Sequence, residues 1–387
     1  MDKKYKNFPR FNLQEKRHRK FKVEMLLGIS LAFILVASVV PMKPSYAATD
    51  CSDIPVRNFK GVVFMDGTLG KDEGSGKASV LTSYVSESMK HIRLSGFNAI
   101  RVPYYWEAYV NDPTSFMAEI ELIAKKAQEN NICVIFDNHH FYTSSYWNLD
   151  VEGKSSGRGF PAFVVKNFPE RNNDYIDTAG PFWNAFLSNS YSINGVKVWN
   201  VQWSFFSKVI NKVDNYPSVA GYEILNEPHL FKKEHYDKLG DYNTFMAKKI
   251  RSISDKKIFF DRETTRGFQR EPSMELRIFP DGVSGLVYAP HLYSVPKSGS
   301  QGMKQINNFA DWADARNTEV LIGEWGADSQ SDAVTFLKAF KANGFGWTAH
   351  SWKKSGSGGL GSSLYDSSTT SPTTALKNLM AAMDVVY

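Results

Sequence analysis

Two glutamates stand where apolar runs end. The run VAGYEILNE (219–227) stops on Asn226 and Glu227, and Pro228 then breaks the strand. The run EVLIGEW (319–325) carries Glu324 next to its last residue. Two carboxyls facing each other are what cleavage of a glycosidic bond requires. One acid protonates the leaving oxygen, and one carboxylate works on the opposite face of the sugar ring. A separation of about 5–5.5 Å implies retention through a covalent intermediate and a larger gap implies inversion. Sequence alone gives no distance, so that choice stays open here.

Other polar residues end apolar runs in the same way. Arg101 closes NAIRVP (98–103), Asp137 and His139 close CVIFDNH (133–139), His291 closes GLVYAPH (285–291), and Trp352 closes FGWTAHSW (345–352). With FKGVVFM (59–65) and KIFFD (257–261), the runs number eight. They are continuously apolar, as parallel strands covered on both faces must be. Helical stripes separate them: Leu81, Val85, Met89 and Ile92; Phe116, Ile120, Ile123 and Ala127; Trp199, Trp203, Phe206 and Ile210; Val334, Leu337 and Phe340. Gly344 follows the last stripe where a helix C-terminal glycine belongs. Eight strands alternating with helices specify an α/β fold, the (β/α)8 TIM barrel, whose chemistry sits at the C-terminal strand ends. Six of the eight strands deliver polar or aromatic groups to that rim.

The chain has 387 residues, and its start reads as a leader. A basic stretch over residues 1–22, an apolar run over 25–40 and small residues around Ala47 follow the order of a secretory signal. We therefore expect residues 1–47 to be a signal peptide, with an uncleaved membrane anchor as the rival, and residues 48–387 to be one secreted catalytic domain. Residues 1–47 hold ten Lys or Arg against three Asp or Glu, so the +6 net charge resides there and the remainder is close to neutral. The basic balance is thus no argument for a nucleic-acid partner. Cys51 and Cys133 are too few for a disulfide framework, and Cys133 in ICVIFD reads as a small buried hydrophobe. No zinc-ligand spacing and no phosphate-binding glycine loop occurs, so neither metal nor organic cofactor is expected.

The longest departure from the alternation is residues 140–198, rich in aromatics, Gly, Ser and Asn, and we expect it to be ordered. The Gly- and Ser-rich tract 355–371 reads as a loop after the last strand, since SPTTALKNLMAAM returns to helix. Trp106, Trp147, Trp183 and Trp325 lie on or after rim segments, where flat rings could stack on pyranose faces.

Taken together, ILNEP and LIGEWG, preceded by IRVP and DNH and joined by HLY, resemble glycoside hydrolase family 5, the cellulase family. The resemblance spans essentially the whole chain after the leader. It implies Glu227 as acid/base and Glu324 as nucleophile, with Arg101 keeping Glu324 ionised and Asn226 holding the sugar 2-hydroxyl. By the same resemblance His139, His291 and Tyr293 line the cleavage subsite. Glu227 then needs a raised pKa, for which apolar neighbours and the second carboxylate are the expected causes. In the family the eighth strand ends on a tryptophan that floors this subsite. Here Trp347 matches the first tryptophan of that pattern, His350 stands where the flooring one belongs, and Trp352 is the candidate replacement. With Trp147 these complete the expected substrate contacts.

The resemblance implies a monomeric retaining endo-β-glycosidase acting on a β-linked polysaccharide or oligosaccharide, β-1,4-glucan first. Mannan is an alternative. A glycolipid is another, because GFPAF and FWNAF within the long insertion resemble glycolipid-cleaving members. A barrel that binds carbohydrate without cutting it is the remaining reading.

Overall fold

The computed structural model describes residues 50–65, 78–151, 154–155, 157–262, 264–265, 272–293, 300–327, 329–352, 365–366 and 371–387. The leader and most of the 355–371 tract lie outside them. Among the described residues no helix is long and apolar enough to cross a membrane.

Eight parallel strands form the barrel: β1 (Lys60–Phe64), β2 (Ala99–Tyr105), β3 (Cys133–His139), β4 (Val219–Glu223), β5 (Lys257–Phe260), β6 (Leu286–Tyr288), β7 (Glu319–Trp325) and β8 (Gly346–Trp352). Each pairs with its sequence neighbour, and β8 pairs back onto β1, Lys60 opposite Trp347 and Gly61 opposite Thr348, which closes the cylinder. The expected (β/α)8 barrel is the observed one. The β6 edge resumes as His291–Leu292, with His291 opposite Glu324.

Alternation along the strands builds two cores. On β3, Val134 and Phe136 pack outward against helices, whereas Cys133 and Ile135 join Phe59, Ala99, Ala220, Phe259, Val287, Ala289 and Leu321 inside the barrel. Small residues let that interior close: a Cβ on Gly221 would stand 2.0 Å from the Lys257 carbonyl oxygen.

The outer helices are α1 (Ala78–Leu94), α2 (Pro113–Glu129), α3 (Tyr175–Leu187), α4 (Val198–Val213), α5 (His235–Arg251), α6 (Ser300–Ala315), α7 (Gln330–Ala342) and α8 (Thr374–Val386). Four of them carry the stripes read from sequence. Starts follow capping rules. Asp112 accepts the Ser115 amide ahead of Pro113 in α2, and Ser329 accepts the Asp332 amide in α7. Between β5 and β6 the described crossover is the 3₁₀ segment Pro272–Ile278, tied to β6 by Tyr288 donating to Glu275. The described part of the insertion after β3 packs around an aromatic cluster, with the Phe160 ring centroid 5.1 Å from those of both Phe182 and Phe186.

One reading is overturned. Cys51 and Cys133 form a disulfide across 82 positions, fastening the segment before β1 to the start of β3. Cys133 is buried, as expected of a small hydrophobe, but it is also a cross-link. Nothing in the spacing of two lone cysteines announces that their Cα atoms will lie within bonding range.

Candidate active site

The mouth of the barrel is organised around Arg101. Inward alternation on β2 places it one step above Ala99, with no exposure to solvent. A buried guanidinium must find anions, and this one finds three. Nε and Nη2 donate to the two Glu223 oxygens at 2.7 Å each, Nη1 donates to Glu324 Oε1 at 2.6 Å, and Nη2 lies 3.0 Å from Asp137 Oδ2. Nη2 also donates to Asn226 Oδ1 at 2.9 Å, and Asn226 Nδ2 donates to the His140 carbonyl at 3.0 Å. Asn226 therefore keeps one amide hydrogen unspent.

Glu324 is buried at the end of β7, and Tyr293 donates its hydroxyl to Oε2. Burial pushes this carboxyl up, but the charges of His291 and Arg101, with His350 and His139 behind them, hold it well below the usual carboxylate range. It is the more firmly ionised of the two glutamates. Gly323 before it admits the imidazole of His291, since a Cβ there would lie 3.2 Å from that ring.

Glu227 is reached through an irregular strand end and has a left-handed backbone, φ 37°. Its Oε1 lies 2.8 Å from His291 Nδ1, and the same nitrogen is 3.8 Å from Glu324 Oε2. Those two legs cap the separation of the two carboxylate oxygens at the lowest edge of the inverting range of about 6.5–9.5 Å even when collinear. Any bend at the nitrogen brings them toward the roughly 5–5.5 Å of retaining enzymes.

The raised pKa expected of Glu227 is not what this geometry gives. Burial and Glu324 push it up, yet the hydrogen bond and charge of His291 bring it below its ordinary value. The proton lies on the imidazole instead. Burial works against that charge, but Asp261, Glu324 and Glu227 together raise His291 to about 10. The acid and its proton are therefore shared across one short hydrogen bond.

His139 completes this wall, its Nδ1 2.6 Å from Asp137 Oδ2. His350 is half-buried and meets Tyr293 edge-on at 5.8 Å between ring centroids. Arg101, His139, Asn226, Glu227, His291, Tyr293, Glu324 and His350 are thus brought together. The tryptophans are not. Trp347 sits opposite Lys60 at the far end of β8, buried against Trp325 and Phe97, with Nε1 donating to the Tyr387 hydroxyl at 3.2 Å. Trp147 is buried in the insertion, donating to the Phe168 carbonyl at 2.7 Å. Trp352 does reach the strand end, but its ring is fully buried. Trp106, Trp183 and Trp325 are buried as well. At the mouth the aromatic surface comes from Tyr293, 46 % exposed, beside His350.

Sequence reading missed Glu223 and Asp261. Both are fully or nearly fully buried, and burial raises both pKa values, Asp261 strongly. The available signal was an acidic residue within VAGYEILNE and another at the end of KIFFD, which a buried strand tolerates only with a partner. Glu223, Asp261 and His291 bring ligand atoms within 4.8 Å of one another, as a metal site would. Both Glu223 oxygens are already committed to Arg101, and His291 Nδ1 to Glu227, so the cluster is better described as a hydrogen-bonded charge network.

A closed parallel barrel with two glutamates a single imidazole apart at its C-terminal mouth defines the class of retaining glycosidases. The family model for Cellulase (glycosyl hydrolase family 5) matches residues 77–356, and the chain belongs to that family. No curated protein matches it in sequence. Among solved structures it is similar to endo-glycoceramidase II from Rhodococcus sp., at 15 % identity and TM-score 0.63, over 87 % of this chain and 80 % of that one. It is also similar to a family 5 enzyme from Prevotella bryantii B14, at 16 % identity, TM-score 0.57 and 86 % and 97 % coverage. A broad-specificity endoglucanase from Clostridium acetobutylicum aligns at 13 % identity, TM-score 0.54 and 85 % and 97 % coverage. At such identities the likeness is one of fold.

Proposed function

We propose that Glu324 is the nucleophile and Glu227 the acid/base of a secreted endo-β-glycosidase working by double displacement on a β-1,4-glucan. The observation that carries the assignment is the asymmetry of the pair. Glu324 is gripped on one oxygen by Arg101 and on the other by Tyr293, which orients an ionised carboxylate for attack. Glu227, a third exposed, has the proton-bearing His291 on its carboxylate, the one such partner among the described residues and the arrangement an acid/base needs to gain and lose a proton. In the first step Glu324 bonds to the anomeric carbon as the bond to the leaving oxygen breaks, and that oxygen takes the proton that His291 passes on through Glu227. Water then gives a proton to Glu227 and displaces the ester.

A second substrate reading has its own support. The insertion motifs GFPAF and FWNAF resemble those of glycolipid-cleaving members, whereas the apolar pocket of about 40 Å³ beside His350, lined by Trp325, Ala333 and Leu379 with Ser329 and Asn378, is too small to hold an acyl chain. The Rhodococcus protein, an endo-glycoceramidase, has been solved with ganglioside GM3 and as a lactosyl–enzyme intermediate. Secretion is supported by the leader pattern and by a disulfide, which persists in oxidising compartments.

Incubation with carboxymethylcellulose, mannan, xylan and a glycosphingolipid separates these readings. Release of shorter glucans supports the first, and release of an intact oligosaccharide from lipid the second. Binding without cleavage sinks the enzyme assignment. In Glu324→Ala, azide should yield a glycosyl azide of inverted configuration, and in Glu227→Ala the retained one. The reverse pattern exchanges the two roles.

A further inference from the structure

Asp261 follows β5, is buried, and has no part in the two displacement steps. Its Oδ2 accepts the backbone N–H of Glu227 at 2.8 Å, and Oδ1 accepts that of Arg262 at 2.6 Å. The same Oδ2 lies 3.4 Å from Nε2 of His291, whose other nitrogen is 2.8 Å from Glu227 Oε1. One carboxyl thus reaches the acid/base residue at both ends, the amide directly and the carboxylate through the imidazole.

Both ends need holding. A glutamate at φ 37° is in a region that residues with a Cβ occupy only when their surroundings impose it. The amide contact from Asp261 is one such constraint, and the hydrogen bond from the Thr264 amide to the Pro228 carbonyl is another just beyond it. The imidazole, for its part, can rotate or change tautomer unless something fixes Nε2, and Asp261 is the group facing that nitrogen. Burying a further carboxyl beside Glu223 and Glu227 is unfavourable. A barrel wall needing only stability is served by an apolar residue at this point, as it is by Phe259 two positions earlier.

We propose that Asp261 is the positioning residue of the acid/base, fixing the backbone of Glu227 and the orientation and charge of His291, which shares the Glu227 proton. The inference rests on the assignment of Glu227 made above. The groups around the imidazole are Asp261 after β5, Glu227 after β4, Glu324 on β7 and Tyr293 beyond β6. Glu223 and Arg101 lie one layer below. Burial pushes the Asp261 carboxyl up while His291 pulls it down, so the two groups titrate together, and removing Asp261 lowers the imidazole pKa from about 10.

The test uses Asp261→Asn, which keeps an acceptor for the Glu227 amide but removes the charge, and Asp261→Ala, which removes both. Each is assayed on a cello-oligosaccharide, whose leaving sugar needs protonation, and on 2,4-dinitrophenyl β-cellobioside, whose leaving group does not. Lactosides replace both if the glycolipid proves to be the substrate. The alanine variant should lose about 100-fold in kcat/KM on the oligosaccharide, the scale of a misplaced catalytic group, and less than about tenfold on the dinitrophenyl substrate. The asparagine variant should recover part of that loss and shift the His291 titration, followed by ¹⁵N NMR, to lower pH. Equal losses on both substrates, no loss, or an unmoved imidazole titration overturns the proposal. If the wild type cleaves neither substrate, the assignment of Glu227 falls, and the titration still decides whether Asp261 governs His291.

Discussion

The two ends of the barrel interior are chemically opposite, although charged side chains such as Arg101 and Asp137 are buried at one as completely as hydrocarbon is at the other. Along β3 one side of the strand runs from Cys133 and Ile135 to Asp137 and His139, so a single alternation passes from disulfide and hydrocarbon to acid and imidazole. On β2 Ala99 gives way to Arg101, on β5 Phe259 to Asp261, and on β6 Ala289 to His291. The lower layers gain stability from burial itself. The upper layer costs desolvation at every charge and recovers it only through contacts such as the paired Arg101–Glu223 hydrogen bonds. Stability is therefore built at one end and expended on reactivity at the other.

Arg101 is where the contrast is most easily broken. The substitution Arg101→Met strips Glu223 of both its hydrogen bonds and leaves Asp137 and Glu324 buried with only imidazoles beside them. We expect about 3–5 kcal/mol lost in denaturant unfolding, the usual result of removing one partner from a buried pair. Activity should fall by about 100–1000-fold, the scale of losing one preorganised electrostatic contact. An Arg101→Met variant as stable as wild type would show that the upper layer is not held by this network.

The opposite end should respond in stability alone. Changing Cys51 and Cys133 to Ser opens a loop of 82 positions, expected to cost about 4 kcal/mol on the chain-entropy estimate. At temperatures where the variant stays folded, kcat should be unchanged, because both sulfurs lie in the apolar interior cluster with Phe59, Ala99 and Ile135, which among the described residues holds no member of the mouth. A drop in kcat without unfolding would mean that the two ends are coupled.

The same contrast explains what could be read from sequence. Apolar runs and helical stripes are repeated over many residues, so β3 and β7 were delimited to the residue and α1, α2, α4 and α7 were located by their stripes. The rim residues were found because polar groups at the ends of apolar strands stand out. Glu223 and Asp261 were missed because their significance lies in partners on other strands, which spacing along one strand does not report. The disulfide escaped for the same reason. The tryptophans misled because a ring near the rim in sequence can face either side of the wall: Trp347 lies outward among Phe97 and Trp325, and Trp147 lies within the insertion.

That last point separates two residues three positions apart on β8. Trp347→Phe should cost about 1–2 kcal/mol, through lost volume and the lost hydrogen bond to Tyr387, and leave KM unaltered. His350→Ala should do the reverse. It removes the ring that meets Tyr293 beside the nucleophile and one of the positive influences on Glu324, with little effect on the core. A rise in KM of about tenfold, equivalent to roughly 1.4 kcal/mol, is expected, with the unfolding midpoint within a degree or two of wild type. Kinetics at several substrate lengths together with thermal melts check both variants. If Trp347→Phe raised KM as His350→Ala does, the buried tryptophan would be reporting a shift of the whole strand, and the division between a structural and a reactive end would not hold on β8.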